Sequence, residues 1–258
     1  MAALAKAIEA QTHRRILTLD IERLPGLARV WDQRTRFIPV SQWTQLPSLL
    51  SVSAKWYGTR TVEFYAAWDD PEAMLEATWQ LINSADILIG FNSKRFDLPH
   101  LQGAWLQAGM APPSPSKHID LFQIARSSFG FESKSLAHLC QRLGIEGKNW
   151  HYDPLVAEAA MAGDERAQRR VRTYNSNDVR ITERAYDRLL PWIGTHPHVK
   201  VTGTDVIVCP RCGSDKFERL DKPYLAVVME YSAYRCQSCA GIFRAGLVRR
   251  VARTRSVR

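Results

Sequence analysis

The chain has 258 residues, 45% hydrophobic and 24% charged, enough for one sizeable core beside a smaller module. No stretch approaches the ~18 uninterrupted apolar residues of a membrane span, and the Ala-rich start lacks the apolar centre of a secretory signal, so no membrane partner and a cytoplasmic location are expected. The net charge of +9 is uneven: residues 195–258 hold 12 Lys+Arg against 5 Asp+Glu, which leaves +2 for residues 1–194.

Residues 1–13 read as an N-terminal extension, a fraying helix. Ile16-Leu17-Thr18-Leu19-Asp20-Ile21-Glu22 is a nearly continuous apolar run, the pattern of a central strand buried on both faces. Side chains alternate along a strand, so Asp20 and Glu22 point the same way. Further strands are predicted over 28–31, 49–56, 61–66 and 87–91. A helix follows Pro71, over 72–84, where Asp69 and Asp70 mark its start. Asn92 and Ser93 are placed to cap a helix that begins near Lys94 and runs to 108, with Asp97 in its first turn. The proline-rich stretch 111–116 is a stiff loop expected to border a substrate groove. Helices are predicted over 134–143, 154–161 and 164–190. Tyr174 and Asp178 share one face of the last. Early strands followed by helices and more strands make this an α/β layered domain over 14–192. Gly and Pro punctuation then marks a linker over 193–204. The eight tryptophans are dispersed, and most are expected to pack in or against the core.

Each acidic cluster sits beside or within an apolar segment, where a carboxylate is costly unless a cation compensates it. Converging, they would form a divalent metal site suited to phosphodiester cleavage. Taken singly, each has a plain structural alternative: an exposed strand edge, a surface Asp at a helix start, or a tyrosine on the core. In this order, however, Asp20 and Glu22, then Asp97 in Asn92-x-x-x-Phe96-Asp97, then Asp178 four residues after Tyr174, the segments resemble the three motifs of the DEDD superfamily of ribonuclease-H-like 3′–5′ exonucleases. The tyrosine marks the DEDDy subgroup; the other subgroup has His where this chain has Thr173. The resemblance covers roughly 14–192, with Pro99-His100-Leu101 and His118-Ile119-Asp120-Leu121 as weaker support. It implies a ribonuclease-H-like mixed sheet of about five strands flanked by helices. It also implies two Mg²⁺ or Mn²⁺ ions bridged by Asp20, with Glu22 and Asp178 on the first and Asp97 supporting the second through water. Tyr174 would help activate a water. Asp120 competes with Asp97 for the third place and is read as structural. Asn92 and Phe96 are candidate substrate contacts, Phe96 and Phe131 as base-stacking rings.

Cys209-Pro210-Arg211-Cys212-Gly213 and Cys236-Gln237-Ser238-Cys239 are two C-x-x-C knuckles separated by β-forming sequence. That spacing reads as a zinc ribbon over 205–246 holding one structural Zn²⁺. Paired strands are predicted over 224–228 and 231–234. Cys140 is read as a buried apolar residue, and His196 and His198 as part of the linker. Residues 247–258 form a basic tail. The arginines from Arg244 onward, with Arg249 and Arg250 as candidate substrate contacts, form a run without acids and are expected to meet phosphates.

The functional expectation is a metal-dependent 3′–5′ exonuclease that releases nucleoside 5′-monophosphates from DNA, with a replication or repair protein as a further partner. An RNA-directed exonuclease is the first alternative, since these motifs do not read the 2′-OH. An inactive nucleic-acid-binding or adapter protein is the second.

Overall fold

The computed structural model describes residues 13–147, 152–200 and 206–250. The expected N-terminal helix, the end of the linker, Trp150, and the tail arginines Arg253, Arg255 and Arg258 lie outside the described residues. The chain forms two compact units. One is Arg15–Tyr186; the other takes in the described residues from Asp187 onward together with His13 and Arg14.

The first unit runs β1 (Ile16–Leu24), β2 (Leu27–Ala28), β3 (Trp43–Gln45), β4 (Ser48–Trp56), β5 (Glu63–Ala66), α1 (Pro71–Asn83), β6 (Ile87–Gly90), α2 (Asp97–Gln107), β7 (Lys117–Asp120), α3 (Leu121–Ser128), α4 (Leu136–Leu143), α5 (Pro154–Met161) and α6 (Glu165–Leu189). Its sheet has five strands in the order β5-β4-β1-β6-β7. β1 is antiparallel to β4 and parallel to β6; β4–β5 is antiparallel and β6–β7 parallel. The mixed α/β sheet flanked by helices is a ribonuclease-H-like fold.

The two faces of β1 differ. Leu17, Leu19 and Ile21 join Val52 and Ala54 of β4 in a core with Met74, Leu81 and Ile82 of α1 and Leu101 and Trp105 of α2. The alternate positions Thr18, Asp20 and Glu22 pair with Lys55, Ser53 and Ser51. They form a polar face covered by α6: Ser51 Oγ bonds Asn175 Oδ1 at 3.1 Å, Ser53 Oγ lies 3.4 Å from Ser176 Oγ, and Lys55 Nζ lies 2.5 Å from Glu183 Oε1. The strand is thus covered on both sides as its apolar run predicts, but one cover is polar.

Several local expectations shift. The strand expected over 28–31 shrinks to Leu27–Ala28, paired with Trp43–Gln45. β7 and α3 are not predicted as elements from the sequence; the segment 118–121 enters there only as support for the motif resemblance. α2 starts at Asp97 rather than near Lys94, because Asn92–Phe96 form a turn first. The loop 111–116 is irregular as expected, but it does not border the carboxylates. β7 runs parallel to β6 and β1, so the loop entering it lies at the edge where β1 begins, whereas Asp20 and Glu22 lie toward its end. That loop is pinned to α1 instead: Trp79 Nε1 donates to the Ala111 carbonyl at 2.7 Å, and Ser114 N–H to Asn83 Oδ1 at 2.8 Å. Trp105 is buried and most described tryptophans are half-buried, but Trp31 is 98% exposed and Trp192 64%.

In the second unit, β10 (Met229–Cys236) lies between β11 (Ile242–Arg250) and β8 (Phe217–Arg219), and the short β9 (Tyr224–Leu225) also pairs with β10. Phe217, Tyr234 and Phe243 pack ring on ring beside Cys209 and Cys236. Four close cysteines on this small sheet make it a zinc-ribbon-like module. No helix of the described residues is long and apolar enough to cross a membrane.

Candidate active site and cysteine centre

β1 outruns its parallel neighbour: the β6 pairing ends at Thr18, and a register shift against β4 falls between Glu22 and Arg23. The free stretch carries the acids. Asp20 and Glu22 of β1 meet Asp178 of α6, with one carboxylate oxygen from each within 4.8 Å of the others. Asp178 is buried and the other two are half-buried. Three carboxylates at this spacing repel one another unless a cation lies between them, and hard oxygen donors suit Mg²⁺ or Mn²⁺. The donor set therefore fits the implied metal.

The Tyr174 hydroxyl hydrogen-bonds Asp178 one helical turn away. Burial, then the charges of Asp178, Glu22 and Asp20, and then that hydrogen bond raise its pKa far above the usual phenol value, so it stays neutral.

Asp97 is brought close to β1 but not into the trio. It is 3% exposed, and its Oδ1 accepts the Ile21 N–H at 3.0 Å, satisfying a donor that β6 is too short to reach. Burial pushes its carboxyl up to about 7; backbone N–H bonds from Ile21 and its own amide oppose that, and nearby Asp120 adds to it. Asp120 is itself buried and spent on backbone: it accepts from the N–H groups of Asn92 at 2.9 Å, Lys94 at 3.2 Å and Phe122 at 3.1 Å. It knots the turn after β6 to the start of α3. Asn92 within that turn has φ +63°, a left-handed conformation that asparagine tolerates. Ser93 folds back over Gly90, where an added Cβ would lie 2.1 Å from the Ser93 hydroxyl. Ser93 Oγ and His118 Nε2 are 2.8 Å apart, and burial lowers the His118 pKa to about 4.

Other predicted contacts are placed less decisively. Phe96 is 40% exposed and packs edge-on against His100. Phe131 stacks on Phe129, and the Arg142 guanidinium carbon lies over the Phe131 ring, 5.9 Å from its centroid. His100 Nε2 lies 3.2 Å from an Arg23 nitrogen; burial and the Arg23 charge lower its pKa, so it accepts that bond as neutral imidazole.

Two residues join the site without having been singled out. Asn175 is fully buried; its Nδ2 donates to Asp20 Oδ2 at 2.7 Å and to the Asp20 carbonyl at 3.2 Å, while its Oδ1 accepts from Ser51. It aims the Asp20 carboxylate. Tyr152 donates its hydroxyl to the Arg23 carbonyl, and burial with the charges of Glu22, Glu158 and Asp153 pushes it up to about 12. No spacing rule connects either residue to β1: the crossing of α6 over the sheet brings Asn175 there, and the segment leading into α5 brings Tyr152.

In the second unit, the four cysteine sulfurs Cys209, Cys212, Cys236 and Cys239 lie within 4.8 Å of one another and none forms a disulfide. Tetrahedral Zn–S bonds of about 2.3 Å set sulfurs about 3.8 Å apart, and the separations here are 3.7 Å for Cys209–Cys239 and 3.6 Å for Cys212–Cys236. The spacing fits Zn²⁺. His196 and His198 are not among these ligand atoms, and Cys140 is buried in the first unit. The Arg211 side chain, inside the first knuckle, donates to the Ile193 and Ile242 carbonyls, and a Cβ at Gly241 would approach its guanidinium to 2.6 Å and force it to shift. Arg249 Nε donates to Glu230 Oε2 at 3.0 Å across the strand pair, while its side chain stays 70% exposed. Arg250 is exposed at the end of β11.

Among solved structures, the chain is similar to the family B DNA polymerase from the hyperthermophilic archaeon Pyrobaculum calidifontis, with a TM-score of 0.52 and 18% sequence identity over 69% of this chain. The match spans 25% of that polymerase, so the likeness is one of fold over a quarter of its length. No curated protein matches the chain. A family model described as RNase_H superfamily matches residues 48–190, a span that includes Asp97, Tyr174 and Asp178 and begins after Asp20 and Glu22. That match covers more than half of the sequence, and the chain belongs to the RNase_H superfamily.

Proposed function

We propose that this protein is a DEDDy-type 3′–5′ exonuclease that hydrolyses DNA from its 3′ end to nucleoside 5′-monophosphates. The observation that carries the reading is the convergence of Asp20, Glu22 and Asp178 within 4.8 Å, with the Tyr174 hydroxyl bonded to Asp178. Asp20, Glu22 and Asp178 would hold divalent cations, with Asp97 set back beside β1 and acting through water. Bound there, Mg²⁺ or Mn²⁺ supplies charge for a nucleophilic water and for the leaving oxygen. Tyr174 stays neutral and spends its proton on Asp178, which leaves an oxygen lone pair to accept a hydrogen bond from the attacking water and orient it. Asn175 keeps the Asp20 carboxylate aimed at the trio. The four cysteines would hold one structural Zn²⁺, in a domain following the exonuclease domain and its linker. The arginines of that module would meet phosphates, or a replication or repair protein.

The test uses a 5′-labelled single-stranded DNA, its RNA counterpart and a covalently closed DNA circle, each with Mg²⁺ and with EDTA, beside elemental analysis for zinc. The linear DNA should shorten as a descending ladder only with Mg²⁺, the circle should resist, and one zinc per chain should be found. Rapid cutting of the circle would indicate an endonuclease, preference for the RNA would reassign the substrate, and no cutting of any probe would leave a binding protein.

A further inference from the structure

Beside the carboxylates, the first unit contains an open cleft of about 750 Å³ that the mechanism above uses only at Tyr174 and Asp178. Tyr174 and Asp178 are among its lining residues, so it opens directly onto the carboxylates. One wall is apolar, from Leu155, Val156 and Ala159 of α5; the other is basic, from Arg166, Arg169 and Arg170 of α6. The three arginines are exposed. At 1.5 Å rise per residue, Arg170 and Arg166 stand about 6 and 12 Å along the helix from Tyr174, on the same side. The acids at this end are already committed: Asp164 Oδ1 accepts the Ala167 N–H at 2.8 Å as a helix cap, and Glu165 pairs with Arg169 in a solvent-exposed contact at 3.1 Å. An exposed pair of this kind is weak and yields readily to a phosphate.

We infer that this cleft binds the body of the substrate strand, the phosphodiester chain 5′ of the scissile phosphate, with phosphates on the α6 arginines and sugars or bases against the α5 wall. The inference rests on the nuclease reading for the identity of the strand. Three features favour a chain over a lone terminal nucleotide. The cleft leads away from the carboxylates for more than two helical turns. Its cations are spread along the helix, with Arg166 and Arg170 about 6 Å apart and Arg169 between them, rather than gathered in a single clamp. Its polar wall is made of arginines, which grip phosphate without reading bases. The arginine run expected to meet phosphates from sequence lies in the other unit, away from the carboxylate trio in sequence. The α6 arginines lie close together in the sequence, in Arg166-Ala167-Gln168-Arg169-Arg170, but only the folded helix turns them toward one cleft.

The test compares the full-length protein with its R166A/R169A variant and an R166K/R169K control. Arg170 is left in place because it also borders Glu22 and Tyr174. Binding of a fluorescent single-stranded oligonucleotide is measured with Ca²⁺ replacing Mg²⁺, as a function of salt. Hydrolysis is measured on that oligonucleotide and on the p-nitrophenyl ester of thymidine 5′-monophosphate, which has no upstream chain. R166A/R169A should bind the oligonucleotide at least about tenfold more weakly, with a log–log salt slope shallower by about 1.4, the equivalent of two lost phosphate contacts. KM for the oligonucleotide should rise with kcat nearly unchanged, hydrolysis of the ester should not change, and the lysine variant should recover most of the binding. Unchanged oligonucleotide binding and salt slope would overturn the inference, and so would an equal loss on the ester. Weakened binding in a protein that hydrolyses neither probe would uphold the cleft and reject the nuclease reading instead.

Discussion

Tyr174 is where packing and chemistry separate most cleanly at the scale of single residues. Its ring is half-buried while its hydroxyl faces Asp178. Tyr174→Phe keeps the ring and removes only the oxygen that would orient water. We expect kcat to fall about 100-fold, the usual scale for losing a group that handles the reacting proton, with melting temperature and oligonucleotide binding little changed. Parallel measurement of single-turnover rate and thermal unfolding checks this; a variant that melts much earlier but cleaves normally would make Tyr174 a packing residue. Strand alternation put Asp20 and Glu22 on one face and helical spacing did the same for Tyr174 and Asp178, but their meeting was an expectation only through the resemblance to the three DEDD motifs. Asn175 was not legible. It is a polar residue within a polar helix, and its bond to Asp20 exists only because α6 crosses β1 at that point.

Elements were legible where burial imposes a period and obscure where a distant group sets a boundary. β1 shows itself by its apolar run, and α1 by Asp70, whose carboxylate accepts the Glu72 and Ala73 N–H groups. The late start of α2 is different: Asp120, from β7, takes the Asn92 and Lys94 N–H groups and holds them in a turn. The polar cover over β1 is likewise a tertiary fact. Its buried ion pair, Lys55–Glu183, fixes how α6 lies on β4 and so helps place Asp178. Breaking a buried pair on one side leaves an uncompensated charge, and Lys55→Met should cost about 3–5 kcal/mol. Replacing both partners by apolar residues should recover most of that loss. Denaturant unfolding of the two single variants and the double variant gives the coupling directly. Additive losses would mean that the pair contributes nothing to the register of α6.

At the scale of the whole chain, two compact units carry two different metal-suited centres. Hard carboxylate oxygens gather in the first and thiolates in the second. The thiolate set was readable as spacing, because a pair of knuckles fixes geometry locally, whereas the carboxylate set, split between a strand and a distant helix, was expected only through the motif resemblance. The charge split was readable only in part. The arginine run near the C-terminus looks free of acids in sequence, yet Glu230 meets Arg249 across the strands, and Arg244 lies over the rings of Tyr224 and Tyr231 at 4.9 and 4.2 Å. Some of that charge is therefore spent within the module. The central claim is that the carboxylate trio does metal-dependent chemistry, and its most direct test is the cleavage rate of a 5′-labelled DNA by folded wild-type and Asp178→Asn protein across a Mg²⁺ titration. Asparagine keeps the shape and removes one anionic ligand. The rate at saturating Mg²⁺ should fall by more than about 1,000-fold with direction and product unchanged, whereas an Asp178→Asn protein cleaving at the wild-type rate with the same Mg²⁺ dependence would contradict the assignment.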